Sequence, residues 1–256
     1  MFTVAESWTL NPFAVWLYSK DASEAINAGG SAHIINGLPD DSEKVSIYYL
    51  GANVDGTVGP VSLFFTGIYQ AGTVEDVPAA GGDDLDISAY ILAGGASMDL
   101  GPANIHTQAF YASGDGASDP DGDFNGYLGI GGGGRGMAYY WSEIMGLGIM
   151  DQQSSAGSPN ADLTNIYAFN LGASIKPIDK LTIRGDVWYA AKPNDDAITD
   201  EKKLGTEVDL VLTYQLVEGL NVDLIGAYLF AGDATSTDGN NDEDPYEIGS
   251  RFSISF

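Results

Sequence analysis

Oxygen-bearing side chains alternate along one stretch in the middle of the chain. Asp119, Asp121, Asp123 and Asn125 occupy every second position of 118–126, and hard oxygen ligands at this spacing are typical of the first half of a calcium loop. The bidentate glutamate that completes such a loop is missing at the required place. We therefore favour a solvated acidic loop with no cofactor, and calcium binding is the alternative.

Other residues that could do chemistry are few. His33 and His106 are the two histidines, cysteine is absent, and neither histidine lies in a nucleophile motif. An enzyme is therefore not expected, and His-rich or thiolate metal sites are excluded. The glycine run at 129–136 lacks the following Lys-Ser or Lys-Thr of a phosphate-binding loop. A net charge of -26 with ten Lys and Arg residues argues against nucleic acid as a partner.

Most charged residues outside the loops lie in segments that alternate between apolar and polar positions. At the C-terminal end, Tyr246, Ile248 and Phe252 alternate with Glu247 and Arg251, which is the two-residue period of a β-strand. The same period predicts ten strands near 12–19, 44–55, 59–71, 85–98, 103–115, 167–175, 181–189, 204–216, 220–230 and 246–256.

The connections between these strands alternate in length. Short turns are predicted at 55–57, 100–102, 177–179 and 217–219, whereas the connections at 20–43, 72–84, 116–162, 193–202 and 232–245 are long and hold most of the surplus acids. This alternation is typical of bacterial outer-membrane barrels, whose short turns face the periplasm, and an even strand count returns both termini there. We predict one all-β domain over 1–256, a transmembrane antiparallel up-and-down β-barrel with a long extracellular loop at 116–162.

A soluble β-sandwich is the alternative, because its strands also alternate. Two features favour the membrane. Seven of the ten predicted strands have eleven to fourteen residues, which suits a tilted crossing of hydrocarbon, and aromatic residues gather near strand ends. These are Tyr189, Tyr214, Tyr228, Phe230, Tyr246 and Phe256. No window contains the roughly 20 apolar residues of a spanning helix, which excludes a helical membrane protein.

In a barrel, the polar positions of the strands face the lumen. The predicted pore-lining residues are His106, Arg184, Asp186, Glu207, Asp209, Asp223, Glu247 and Arg251. The glycine run would let the apolar stretch 137–145 fold back as a constriction that presents Arg135, Tyr140, Trp141 and Glu143 to a solute. One more irregular strand, or a short helix on the rim, is the alternative for that stretch.

The C-terminal part also carries a family resemblance. The stretches 204–210 and 226–233, with the closing strand, resemble the last hairpins of porins of the alginate-export type, and Phe252, Ile254 and Phe256 resemble the signature that the barrel-assembly machinery recognises. The resemblance implies the bacterial outer membrane, with lipid and that machinery as partners. Family members are usually larger barrels, so ten strands imply either a narrow, partly plugged passage or part of a bigger barrel. Residues 1–8 show no export signal, which fits a mature chain or a fragment.

The leading functional hypothesis is passive passage of small polar solutes or cations through a water-lined lumen, whose acidic mouth disfavours anions. The first alternative is a non-conducting barrel that sheaths or scaffolds a partner, for example a periplasmic or electron-carrying subunit. The second is a soluble sandwich with a binding loop. A homo-oligomer is compatible with both barrel hypotheses, the passage and the scaffold.

Overall fold

The chain forms one antiparallel sheet. The computed structural model describes residues 2–5, 7–20, 44–77, 83–115, 123–128, 141–146, 148, 163–195, 200–236 and 243–255. Its strands are β1 (Phe2–Ala5), β2 (Trp8–Ser19), β3 (Lys44–Val58), β4 (Val61–Val77), β5 (Asp83–Leu100), β6 (Ala103–Ala112), β7 (Ile166–Ile178), β8 (Leu181–Ala191), β9 (Lys203–Val217), β10 (Leu220–Ala231) and β11 (Tyr246–Ile254). A short 3-10 helix, Asp233–Thr235, follows β10.

Each strand pairs with the strand before it and the strand after it, from β1 to β11. The ten predicted strands are confirmed as β2 to β11, and the up-and-down order is confirmed with them. The four-residue β1 is additional, so the described strands number eleven. The expectation that both termini lie in the periplasm stays a prediction. No pairing joins β1 to β11 among the described residues, so the sheet is an open, curled wall rather than a closed barrel. The sandwich alternative needs two stacked sheets, whereas these strands form one.

Two of the four two-residue turns use the dipeptide Gly-Pro. Gly59 and Gly101 have φ angles of 60° and 67°, a left-handed conformation that glycine adopts without a Cβ clash, and the proline that follows lacks the N–H needed to continue a strand. The predicted turn at 55–57 is wrong, because β3 continues to Val58. Gly56 stays in the sheet and lies under the ring of Trp8, which a Cβ would approach to 2.3 Å.

One face of the sheet is apolar and open to the surroundings. Every strand from β2 to β11 presents on it large apolar side chains that are at least 40% exposed, among them Trp16, Tyr48, Phe65, Leu92, Ile105, Leu171, Val187, Leu210, Leu224 and Phe252. Soluble monomers rarely expose so continuous an apolar surface. No helix in the described part of the chain is long and apolar enough to span a membrane.

Aromatic rings form a band on this outer face at the end nearest the long connections. The strand register brings Trp16 opposite Tyr48 and Tyr111 opposite Tyr167, while Trp16 and Tyr48 stack at 6.0 Å. The band comprises Trp16, Tyr48, Tyr69, Tyr90, Tyr111, Tyr167, Tyr189, Tyr228 and Phe230. Amphipathic rings at one level are typical of the boundary between lipid and water.

Candidate functional site

The inner face of the curled sheet encloses a lumen, and its two ends differ. At the end of the long connections, named here the loop end, inward side chains pack with residues of the connection between β6 and β7. Leu128, Trp141 and Met145 from that connection are each at most 5% exposed, and they belong to two apolar clusters with residues of β3 to β10. At the opposite end, named here the turn end, the inner face is polar and borders open space.

Residues 141–146 form an inward-folded segment that is held by a carboxylate of the wall. Glu207 on β9 is fully buried, and it accepts hydrogen bonds from the backbone N–H of Ile144 at 2.6 Å and of Met145 at 2.8 Å. The Ser142 hydroxyl donates a third, at 3.2 Å. Charge-assisted hydrogen bonds are roughly twice as strong as neutral ones. Glu207 is therefore the main polar anchor of this segment.

Trp141 anchors the same segment through its ring. The indole packs edge-on against Phe110 at 5.3 Å and against Trp188 at 5.1 Å, in the T-shaped geometry that aromatic quadrupoles favour. Its Nε1 is buried without a hydrogen-bond partner. The aromatic contacts hold the segment against β6 and β8, and Trp188 on β8 is the register partner of Glu207 on β9.

A second stretch of the same connection, 123–128, fills the lumen beside β3 and β4. The Gln70 side chain accepts a hydrogen bond from the Leu128 backbone N–H at 3.0 Å, and Tyr49 donates its hydroxyl to the Leu128 carbonyl at 3.0 Å. Burial raises the pKa of Tyr127 to about 12, because ionisation there would place a phenolate out of water. The stretches 123–128 and 141–146 therefore both pack inside the loop end of the lumen.

Below the segment 141–146, a network of charged and polar groups centres on Asp186. The carboxylate accepts hydrogen bonds from Arg184 Nε at 2.6 Å and from Asn170 Nδ2 at 2.6 Å, and His106 Nε2 lies 2.7 Å from its Oδ1. A buried charge is tolerated when it is paired and hydrogen-bonded in this way. Asp186 can therefore remain in the wall while Arg184, with a side chain 49% exposed, reaches into the lumen.

Gly172 provides the space for this network, and its substitution tests it. A Cβ at Gly172 would lie 2.2 Å from Asp186 Oδ1 and 2.3 Å from His106 Nε2. We expect Gly172→Ala to break the His106–Asp186 contact and lower the free energy of unfolding by about 1–3 kcal/mol, as measured by urea unfolding in detergent. Gly185→Ala is the matched control, because its Cβ would meet nothing closer than 3.7 Å. Equal stability of the two variants would contradict the role of Gly172.

A second ion pair lies on the neighbouring strands. Arg251 on β11 contacts Asp223 on β10 at 2.9 Å, and the Thr213 hydroxyl on β9 donates to the same aspartate at 2.7 Å. The Arg251 side chain is 46% exposed. Both arginines therefore turn part of a guanidinium toward the lumen while an aspartate at the wall balances its charge.

At least two cavities lie in the lumen among the described residues. A cavity of about 760 Å³ lies at the turn end and is bordered by Asp55, Ser97, His106 and Arg184. A cavity of about 440 Å³ lies between the inward-folded segment and the charged wall; it is named here the upper cavity. Arg184 borders both, so the two spaces meet near this residue.

The predicted lumen residues point inward, but their surroundings differ. Glu207 is covered by the segment 141–146, Asp209 is 5% exposed at the edge of the upper cavity, and Glu247 is half-buried on β11. Trp141 and Glu143 lie inside the lumen, whereas Arg135 and Tyr140 lie outside the described residues. Their role as a constriction stays a prediction.

Two of the four candidate calcium ligands, Asp123 and Asn125, belong to the described residues. Asp119 and Asp121 lie outside the described residues, Asp123 is exposed, and the Asn125 backbone N–H donates to Asp115 at 2.7 Å. Within the described ranges no group of three or more histidine and acidic side chains could hold a metal ion. Calcium binding there stays an untested alternative.

Sequence analysis missed three polar residues of the inner wall, which are Tyr49, Gln70 and Asn170. All three are at most 2% exposed, and each lies in the inward register of its strand. Polar side chains at the inward positions of β4 and β7 were a usable signal, because a lumen must place its polar groups there. Their partners in the connection between β6 and β7 are long-range contacts that periodicity does not reveal.

Several solved porin structures resemble this chain at low similarity. The NanC porin matches over 98% of both chains with 11% identity and a TM-score of 0.42. OccK5 of Pseudomonas aeruginosa matches 98% of this chain and 64% of its own length, with 12% identity and a TM-score of 0.47. A BenF-like porin from Pseudomonas fluorescens Pf-5 matches 99% of this chain and 66% of its own length, with 12% identity and a TM-score of 0.45.

No model of a protein family matches the chain, and neither does any curated protein. The chain spans about two thirds of the Pseudomonas porins it resembles. Identities this low and TM-scores below 0.5 transfer neither a substrate nor a mechanism from those porins to this chain.

Proposed function

We propose that this chain forms the wall of a porin-like passage for small polar solutes in a bacterial outer membrane. The observation that carries the proposal is the apolar outer face, on which Leu210 is 47% and Phe252 68% exposed, combined with a polar inner face. A wall with this distribution is stable where hydrocarbon lies outside and water inside. The aromatic band then marks the lipid–water boundary at the loop end.

The lumen chemistry supports a preference for cations. Asp186 and Asp223 are balanced by arginines, whereas Asp209 lies beside the Glu207 carboxyl group and accepts a hydrogen bond from the Glu143 backbone N–H at 3.4 Å. An acidic group at a narrow point of low dielectric attracts cations and repels anions. We propose that the neighbouring carboxyl groups of Glu207 and Asp209 together give the cation preference, and that Glu207 also holds the segment 141–146.

Planar-bilayer recording tests both parts of the proposal. The folded wild-type chain is expected to carry discrete ion currents, and its reversal potential in a KCl gradient should show cation preference. Replacing both acids, Glu207→Gln with Asp209→Asn, should move the reversal potential toward zero because the carboxyl pair and its negative charge leave the narrow region. Asp179→Asn, at an exposed turn between β7 and β8, is the matched control and should not change it. Equal reversal potentials in all three proteins would rule out the selectivity proposal.

A non-conducting barrel that scaffolds a partner is the second candidate. It is favoured by the packing of the loop end, where Leu128, Trp141 and Met145 fill the lumen. A heat-dependent shift in gel mobility shows whether the purified chain is folded in detergent. If the folded chain carries no ion current in bilayers, the scaffold function replaces the passage function. The same outer face still places it in the membrane.

A further inference from the structure

The ring of His106 lies between two oxygen atoms of other side chains. Its Nε2 is 2.7 Å from Asp186 Oδ1, and its Nδ1 is 3.3 Å from Asn104 Oδ1. An ionised carboxylate only accepts hydrogen bonds, whereas an amide group presents either an accepting oxygen or a donating NH2 group. The orientation of the Asn104 amide therefore decides what the second ring nitrogen faces.

The Asp99 carboxylate fixes the orientation of that amide. Asn104 Nδ2 donates to Asp99 Oδ1 at 2.8 Å, so the amide oxygen is the atom that faces His106. Rotation of the amide by half a turn would place its oxygen against the Asp99 carboxylate and lose this hydrogen bond. Both nitrogens of the His106 ring consequently face atoms that accept hydrogen bonds.

Only the protonated ring offers a donor to each acceptor. The imidazolium carries an N–H on both nitrogens, whereas each neutral tautomer leaves one nitrogen bare. A bare Nε2 would point a lone pair at the Asp186 carboxylate, and a bare Nδ1 would point one at the Asn104 oxygen. The His106 side chain is 20% exposed and borders the cavity at the turn end, so lumen water can deliver and remove the proton.

The charges around the ring come from three strands of the described wall. Asp186 and Arg184 on β8 form an ion pair, Asp99 lies on β5, and Asp55 on β3 borders the same cavity. On β7, which pairs with β6 at this level, the residues beside the ring are uncharged. Three carboxylates and one guanidinium give these neighbours a formal charge of -2, which a protonated ring reduces to -1.

We propose that His106 is a proton-binding site of the lumen and that its charge adjusts the ion preference of the passage to pH. At acidic pH the imidazolium donates to both Asp186 and Asn104 and offsets part of the local negative charge. At alkaline pH the ring has one N–H, one of the two contacts is lost, and the wall beside Arg184 becomes more negative. Imidazole groups change charge between about pH 5 and 8. The effect on ion preference rests on the proposed passage function, whereas the proton site itself does not.

Nitrogen NMR of the full chain, folded in detergent and labelled at histidine, tests the proton site. The chain has two histidines, His33 and His106, so either His106→Gln or His33→Gln assigns both signals. We expect both ring nitrogens of His106 to carry a proton near the acidic end of the range from about pH 5 to 8, and one of them to lose it before the alkaline end. A His106 ring that keeps one charge state throughout this range would overturn the proposal.

Asn104→Ala distinguishes this arrangement from a neutral ring that is held by Asp186 alone. The substitution removes the acceptor of Nδ1, so at a fixed pH in the middle of the range the protonated fraction of His106 should be several-fold lower than in the wild type. Asn53→Ala is the matched control, because Asn53 is an amide of the same wall that is bonded to Thr66 instead. An unchanged protonated fraction in folded Asn104→Ala would refute the role of Asn104.

Bilayer recordings at acidic and at alkaline pH test the consequence for passage. The wild-type reversal potential should move toward stronger cation preference as pH rises, and the change should be about twofold larger than in His106→Gln. Acids of the lumen titrate in both proteins, so the difference between them reports His106; His106→Asn replaces His106→Gln if the latter does not fold. Equal changes in the two proteins would refute a role of His106 in selectivity. Titration of the ring without any bilayer current would retain the proton site and remove the passage function alone.

Discussion

Glu207→Ala is expected to raise the single-channel conductance several-fold. The substitution removes the acceptor for Ser142, Ile144 and Met145 and leaves the buried Met145 backbone N–H without its acceptor. Each hydrogen bond to a charged acceptor contributes about 1.5–3 kcal/mol, and 1.4 kcal/mol already changes an equilibrium tenfold. The segment 141–146 should therefore leave the lumen for a larger fraction of the time.

Two measurements check this expectation. Conductance in planar bilayers reports the open area, and a red shift of tryptophan emission reports the transfer of Trp141 from its aromatic contacts to water. Glu201→Ala is the matched control, because Glu201 is exposed and lies just before the same strand. A Glu207→Ala protein with wild-type conductance and wild-type emission would show that the aromatic contacts alone hold the segment.

Leu210→Arg is expected to prevent stable folding of the chain into bilayers. Leu210 is at the middle of β9 on the outer face and is 47% exposed. An arginine on the lipid side at the bilayer midplane costs about 2–4 kcal/mol, whereas an exposed substitution in a soluble protein usually changes stability by less than about 0.5 kcal/mol. The yield of the heat-modifiable form in lipid vesicles measures the effect.

The control for Leu210→Arg lies on the same strand. Gln215→Arg adds the same side chain at an inward, half-buried position near the turn end, where water is expected to solvate it. Its folding yield should match the wild type. Equal yields for Leu210→Arg and Gln215→Arg would mean that the outer face does not contact lipid.

The strands were largely predictable because their pattern is local. The alternation in 204–230 predicts, without any tertiary information, that the Leu210 side chain points outward and the Asp209 side chain inward. Both side chains point in these directions in the structure. The turn between β3 and β4 was misplaced because Asp-Gly-Thr and Gly-Pro both favour turns, and the second stops the strand more strongly. The strand β1 was missed because four residues are too few for a period of two to be recognised.

The interior was less predictable, because its contacts join residues far apart in sequence. The apolar character of 137–145 predicted that Trp141 and Glu143 lie in the lumen. The sequence pattern did not distinguish Glu207 from Asp209. The structure separates them: Glu207 is saturated by the inward-folded segment, while Asp209 faces a cavity. The distinction depends on which backbone N–H groups reach β9, and no pattern within one strand contains that information.

The pairing of each strand only with its sequence neighbours has a consequence for how such a wall evolves. Duplication or loss of one hairpin would widen or narrow the circumference by two strand spacings, about 10 Å, and would leave every other pairing in register. Pore diameter can therefore change in discrete steps through genetic events confined to one short stretch of DNA. The diameter of the pore and the charges that line it can then change independently among descendants of one ancestral gene.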